Sequence, residues 1–335
     1  MQRLFTVPKE LEQKIESALK NFNLTLQDSQ KLAEAVKKLS DYFIQHPEGA
    51  TPWSENWAQI AYLVYFLPLN NARVQAVVKE ARFQNFFKGL DRVVDFGSGF
   101  GTASLALTED FQKFTLIERA KDICSRFAFL PPAKTTWLDK APNFENPQST
   151  LAVFSYSLTE LSDLPPWAKK MEALMILEPS TQQDGRKLLE LRQKLIQEGY
   201  SLWAPCTHQG HCPLLINSKT DWCHDRIHFE MPKWFEKMEQ HLPMKNRTLT
   251  TSYLLARKTK APARPSNWAR TVGDRLEEKG KDRQLLCRSE EREFLAWMHK
   301  QGLRQEIPRG VLIEIPEDAQ KVSNELRLKD PVSLI

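Results

Sequence analysis

The chain has 335 residues, 41% hydrophobic and 27% charged, and its best apolar run, Ile60 to Leu69, is interrupted by Pro68. These features exclude a membrane-spanning or disordered chain and leave a globular one long enough for two or three folding units. Net charge is +5, yet residues 257–309 hold 14 Lys/Arg against 8 Asp/Glu, so a surplus of +6 sits there and −1 remains for the rest. Such a local surplus suits either a polyanion contact or a solvated surface of ordinary charge pairs.

The N-terminus, Met1-Gln2-Arg3-Leu4-Phe5-Thr6-Val7-Pro8, has no basic region followed by an apolar stretch. A cytoplasmic setting is expected. Leu11, Ile15, Ala18, Leu19 and Phe22 recur at helical steps, as do Leu32, Val36, Leu39 and Phe43. Pro47 and Gly49 should end the second helix. Two further helices are expected over 55–67 and 70–87, separated at Pro68. Residues 1–89 therefore read as an N-terminal helical unit.

The pattern then changes to strands alternating with helices, the mark of a parallel α/β sheet. Strand candidates are 92–96, 114–117, 135–138, 151–155 and 173–177. Helices are expected from Thr102, over 123–130 and over 185–198. Residues 203–235 break the rhythm as an irregular insertion. A strand resumes at 252–256, and Ala261-Pro262-Ala263-Arg264-Pro265 reads as a linker. Residues 90–260 thus form the sheet domain with its insertion. Residues 261–335 form a basic C-terminal α+β unit, with strands at 284–286 and 311–315 around a helix over 290–300.

A glycine loop follows the first sheet strand: Asp95, Gly97, Ser98, Gly99 and Gly101, then Thr102 where a dinucleotide fingerprint would need glycine. Nicotinamide cofactors are therefore disfavoured. Glu118 ends the next strand, placed to accept hydrogen bonds from ribose hydroxyls. This spacing resembles the first motif of class I S-adenosylmethionine-dependent methyltransferases, which implies a Rossmann-like fold and that cofactor. The segment after the fourth strand, Ser155-Tyr156-Ser157-Leu158-Thr159-Glu160, lacks the Asn/Asp-Pro-Pro-aromatic turn of many base methyltransferases. Glu160 is an acid–base candidate or a simple cap. Pro205-Cys206 is similar to the nucleophile pair of cytosine carbon-5 methyltransferases but lies outside the expected place. No residue is assigned a catalytic role.

Cys206, Cys212, Cys223 and Cys287 follow the spacing C-x5-C-x10-C-x63-C, without paired C-x2-C knuckles. Clustered cysteines in a long, non-secreted chain bind metal more often than they pair. Four thiolates hold zinc or an iron–sulfur cluster. His208, His211, His224 and His228 offer a Cys3His zinc alternative. Cys124, beside Ile123 and Phe127, reads as a buried small hydrophobe.

The string Ala204-Pro205-Cys206-Thr207-His208, His211-Cys212-Pro213-Leu214 and Asp221-Trp222-Cys223-His224, with Glu178-Pro179 and Arg192 before it, resembles one family. This is the methyltransferase-like family of small ribosomal subunit assembly, of the Rsm22 and methyltransferase-like protein seventeen type. The resemblance extends to the helical lead-in, the glycine loop and Tyr253-Leu254-Leu255-Ala256-Arg257. It implies that Cys206, Cys212, Cys223 and Cys287 ligate a 4Fe-4S cluster, and that the chain binds S-adenosylmethionine and small-subunit ribosomal RNA. The expected protein assists ribosome assembly or translation, as a monomer off the ribosome and away from membranes. Two alternatives are an active rRNA methyltransferase and a zinc-stabilised methyltransferase with a non-RNA substrate.

Overall fold

Residues 3–46, 49–161 and 163–335 are described by the computed structural model; Pro47, expected at a helix end, lies outside them. A short strand, β1 (Leu4–Thr6), opens the chain. Four helices follow: α1 (Lys9–Leu19), α2 (Ser29–Gln45), α3 (Asn56–Ala61) and α4 (Leu67–Phe83). The periodic residues are the buried ones: Leu11, Ile15, Ala18 and Leu19 in α1, and Leu32, Val36 and Leu39 in α2. Pro68 does not separate two helices. Tyr62–Phe66 winds as a π-helical turn and runs directly into α4, where proline is the second residue. The wide turn already shifts the hydrogen-bond register, and proline has no N–H to contribute.

The expected strands form as β2 (Arg92–Phe96), β3 (Phe114–Ile117), β4 (Thr135–Leu138), β5 (Thr150–Ser155) and β6 (Ala173–Glu178). Between them lie α5 (Thr102–Ala106) and α6 (Lys121–Cys124). The helix expected over 123–130 gives way to a 3-10 turn at Ser125–Phe127, and Ala128 is extended (ψ 128°). Pro131 and Pro132 follow, and proline disfavours helical backbone before it.

Next come α7 (Gln182–Gln197), β7 (Ser201–Ala204), α8 (Pro213–Ile216), β8 (Asp225–Glu230), α9 (Lys233–Gln240) and β9 (Thr248–Arg257). The segment 203–235 is therefore not wholly irregular. Arg226 to Glu230 alternate in burial, with Ile227 and Phe229 inward, and this period-two pattern is short enough to escape notice beside the cysteines.

The C-terminal strands are β10 (Trp268–Glu278), β11 (Lys281–Cys287), β12 (Glu293–Met298), β13 (Leu312–Glu314), β14 (Gln320–Val322), β15 (Glu325–Arg327) and β16 (Ser333–Leu334). They form one sheet in the order β14-β15-β12-β11-β10-β13-β16. The expected α+β character is corrected here: no α-helix occupies 290–300, where a strand is followed by a single 3-10 turn at His299–Gln301. Glu293–Met298 pairs with β11 on one side and β15 on the other. Helix-favouring Glu, Leu, Ala and Met are overridden because this strand is buried on both faces.

The chain forms two units. One comprises Leu4–Ile176 and Ile227–Leu249; the other comprises Met1–Arg3, Leu177–Arg226 and Thr250–Ile335. The first carries the helices α1–α4 and the strand order β6-β5-β2-β3-β4, in which β5/β2, β2/β3 and β3/β4 are parallel. After β2 the chain moves outward through β3 and β4, then returns to β2's other side at β5. That reversal is the Rossmann-like switch point. The second unit carries α7, the antiparallel pair β7/β9 (Ser201↔Arg257, Leu202↔Ala256) and the C-terminal sheet. Ala269, Leu286, Leu295, Trp297, Ile313 and Leu326 fill that sheet's core. The architecture is a Rossmann-like mixed α/β fold with an all-β C-terminal part.

Candidate cofactor loop and thiolate cluster

In the first unit, Phe96 is level with Ile117 on one neighbour and Phe154 on the other. The glycine loop, Glu118 and Ser155–Ser157 therefore leave the sheet at one edge. Gly97, Gly99 and Gly101 all have positive φ (63°, 51° and 75°), which glycine adopts without strain. A Cβ on Gly97 would stand 2.7 Å from Ser157 Cβ. The Gly101 N–H donates to Ser98 O at 2.8 Å, closing the turn.

Asp95 is buried, and its Oδ2 accepts from Ser104 N at 3.2 Å and Ser104 Oγ at 2.7 Å. It fastens α5 to β2. Burial pushes its carboxyl up to about 7, against the opposing pull of the Ser104 hydrogen bonds. Glu118 accepts from Gly99 N at 3.1 Å through Oε2 and from Ala120 N at 3.0 Å through Oε1. Each oxygen keeps a lone pair for a further donor. Glu160, by contrast, forms an exposed ion pair with Arg119 at 3.2 Å.

Sequence reasoning missed the wall over this loop. The position of a Gly99 Cβ is 3.3 Å from Tyr62 Oη and 3.4 Å from Trp53 Cζ2. Trp53, Tyr62 and Phe100 pack ring to ring, with centroids 4.8–4.9 Å apart. Trp53 and Tyr62 lie far upstream of the loop, in a turn and a π-helical turn, where nothing local marks them. Among the described residues, two buried hydroxyls, Ser98 Oγ and Ser157 Oγ, have no hydrogen-bond partner. An unsatisfied buried hydroxyl costs roughly 1–3 kcal/mol. Two of them beside one glycine loop fit a polar, hydroxyl-rich ligand of the nucleoside kind.

In the second unit, β7 leads into Cys206, a loop carries Cys212 to α8, Cys223 precedes β8, and Cys287 ends β11. All four are free thiols and all four belong to this unit. Thr207 Oγ1 donates to Cys287 O at 3.0 Å, joining the first and last segments. Burial raises the Cys223 thiol far above its ordinary range, reinforced by the fields of Cys206, Cys287 and Cys212. Cys287 is pushed up to about 12 by burial and then by Cys206 and Cys212. The thiols are thus neighbours that resist being charged together. Among the described residues, no three His, Cys, Asp or Glu side chains form a ready-made cage for a metal ion.

Arg192 on α7 is fully buried. Its Nε donates to Cys206 Sγ at 3.2 Å, its Nη2 to His208 O at 3.1 Å and its Nη1 to Gln193 Oε1 at 3.4 Å. Burial works against this charge, but Cys206, Cys212 and Cys287 hold the guanidinium above its ordinary range. A buried cation needs an anion, and of these three acceptors only Cys206 Sγ can carry a charge. Arg309 donates to His224 O at 3.1 Å, Arg264 to Cys206 O at 2.8 Å and Arg270 to Pro205 O at 2.8 Å. This donor set fits an anionic thiolate–metal centre. His208 and His224 are each pushed down to about 4, chiefly by burial, with Arg192 and Arg309 adding to it. Cys124 is fully buried in the other unit, as expected of a small hydrophobe.

A family model described as mitochondrial small ribosomal subunit Rsm22 matches residues 56–301. No curated protein sequence matches the chain. Among solved structures, it is similar to the candidate RNA methyltransferase PH1948 of Pyrococcus horikoshii. That match has 13% identity and a TM-score of 0.36, covering 68% of this chain and 95% of that one. It is also similar to TrmK of M. capricolum, solved with S-adenosylhomocysteine, at 9% identity and a TM-score of 0.30, covering 55% and 69%. The cyclase SpnF scores 0.35 at 14% identity, covering 71% and 98%. Likenesses at this level carry no argument about chemistry. The family match spans most of the chain, with α3, α4, the glycine loop and the four cysteines included, and the chain belongs to the Rsm22 family of the small ribosomal subunit.

Proposed function

We propose that this protein binds S-adenosylmethionine at the Asp95–Gly101 loop and Glu118, holds a 4Fe-4S cluster with Cys206, Cys212, Cys223 and Cys287, and assists small-subunit assembly by binding its ribosomal RNA. The observation that carries the reading is Arg192: a buried guanidinium whose available counter-charge is sulfur. A methyltransferase-like sheet with an anionic thiolate centre, in a small-subunit family, suits an RNA-directed protein better than a small-molecule enzyme. Ser98 and Ser157 would meet the polar edge of the cofactor, and Glu118 the ribose hydroxyls. The cofactor supplies an electrophilic methyl group when bound.

The test is anaerobic purification with iron, zinc and sulfide analysis, beside Cys206→Ser and Cys287→Ser. A brown protein with stoichiometric sulfide, lost in both variants, supports the cluster. A colourless zinc protein refutes it. Cofactor binding by calorimetry, abolished in Gly99→Arg, checks the loop. Labelled methyl transfer to small-subunit RNA would make the chain an active rRNA methyltransferase; co-sedimentation without transfer fits an assembly factor. The sequence led us to expect cytoplasmic ribosomes, whereas the family's description is mitochondrial. Sedimentation against ribosomes of each origin decides between them. No helix among the described residues is long and apolar enough to cross a membrane.

A further inference from the structure

We propose that the β10–β11 hairpin end of the C-terminal sheet, through Lys279, Lys300 and Arg304, grips RNA by its phosphates without reading its sequence. The proposal rests on the reading of small-subunit RNA as partner and adds the place of contact. The backbone is the first argument. Glu278 pairs with Lys281, so Lys279 and Gly280 make the two-residue turn between β10 and β11. His299 N donates to Gly280 O at 3.0 Å, which fastens the 3-10 turn His299–Gln301 to that tip. Gly302 caps the 3-10 turn, Arg304 follows two residues later, and the field of Arg304 reaches Asp282 on β11. Both turns are open, because a Cβ built on Gly280 or on Gly302 would meet no atom within 4 Å. Lys279, Lys300 and Arg304 are all exposed.

Charge is the second argument. Segments 275–283, 299–306 and 325–327 hold seven Lys/Arg against five Asp/Glu. Four of those carboxylates are engaged from within. Glu277 pairs with Arg275 at 2.6 Å, and Asp282 is bonded to His299 at 3.0 Å with Arg275 4.0 Å away. Glu278 pairs with Arg283, and Glu325 with Lys281. Among the described residues, the side chains of Lys279, Lys300 and Arg304 form no ion pair or hydrogen bond, so three open cations outnumber one open carboxylate, Glu306. Elsewhere on this sheet the pairing is closer to complete: Arg288 holds Glu293 at 2.9 Å, Arg292 holds Asp221 at 2.7 Å and Lys321 holds Glu291 at 2.6 Å. Part of the basic surplus seen in the sequence therefore stands unneutralised at the hairpin end. An exposed ammonium on a flexible stem is a point charge. Such groups position a phosphate backbone and carry no base information.

Titrate the full chain with fluorescent oligouridylate and oligoadenylate over a range of salt. The plot of log affinity against log salt should flatten by ~0.7 for each of Lys279→Gln, Lys300→Gln and Arg304→Gln, and by ~2.1 for the three together, alike for both sequences. Lys300→Arg keeps the charge and should keep the slope. Tight wild-type binding with an unaltered slope in the triple variant overturns the contact and spares RNA as partner. So does a slope lost in Lys260→Gln instead, since Lys260 is an exposed cation outside this end. A loss confined to one of the two sequences overturns recognition by phosphate alone. A wild-type chain that binds neither RNA overturns the wider reading itself.

Discussion

Arg192 and Asp95 are both buried charges, and they resolve their burial in opposite ways. Arg192 stays charged, so something opposite must stay beside it. If that something is the thiolate set, Arg192→Met strips the set of its counter-charge. Breaking a buried pair costs about 3–5 kcal/mol. We expect Arg192→Met to lose that much by denaturant unfolding, and metal content to fall with it. Cys206→Ser should cost less in the Arg192→Met background than in wild type, because the two changes remove one interaction. Additive losses would separate the arginine from the sulfur. Asp95 instead takes up a proton. Its carboxyl sits near 7 in the fold and near ~4 in an unfolded chain. The stability tied to that proton is complete below about pH 4 and is lost as pH rises through about 7. Asp95→Asn stays neutral and still accepts from Ser104. The wild-type unfolding free energy should fall between those two pH values and the variant's should not; parallel profiles would remove Asp95 as the cause.

At the scale of the element, the loop after β2 depends on glycine for two separate reasons. Gly97 has φ of 63°, and a Cβ there would strike Ser157 Cβ at 2.7 Å. Left-handed backbone at a non-glycine residue costs of order 1–3 kcal/mol, and the overlap adds to it. Gly97→Ala should therefore destabilise by ~2 kcal/mol or more, and Ser157→Gly in the same chain should recover part of the loss. A double variant no more stable than Gly97→Ala alone would locate the strain elsewhere. The glycine half of this was legible in the sequence, since a βα turn with three alternating glycines has few other uses. The Ser157 half was not: it comes from β5, adjacent only once the sheet is assembled. The same distinction runs through the fold. Helices α1 and α2 declared themselves by period, and strands β2–β6 by short apolar, largely β-branched or aliphatic runs between helices. β12 did not, because its Glu, Leu, Ala and Met favour helix in isolation. Of the residues that wall the loop, Tyr62 was read only within the helical lead-in, and Trp53, between two expected helices, drew no reading. The cysteines were legible as a set by residue type, and Arg192 as one residue of the family string, while its seat against Cys206 follows only from the assembled fold.

For the whole molecule, the division into units gives the thiolate set a definite reach. Cys223 and Cys287 lie on separate chain segments, 177–226 and 250–335, and both segments belong to the same unit. Thr207 to Cys287, Arg264 to Cys206 O and Arg270 to Pro205 O tie the two segments, while Arg192 to Cys206 ties α7 to the cysteine loop within the first. If a metal centre completes those ties, its binding free energy is folding free energy for that unit. The glycine loop and strands β2–β5 belong to the other unit and bury their own core. Removing one ligand should therefore act unevenly. In Cys287→Ser, hydrogen exchange is expected to speed up over 182–204 and 268–298, while amides of 92–96 and 150–155 keep their wild-type protection. Uniform acceleration across all four segments would mean that the chain opens as one cooperative body, and the thiolate set would then be a support of the whole fold rather than of its own half. Protection unchanged everywhere would mean that Cys287 holds nothing that matters to stability, and would remove it from the ligand set.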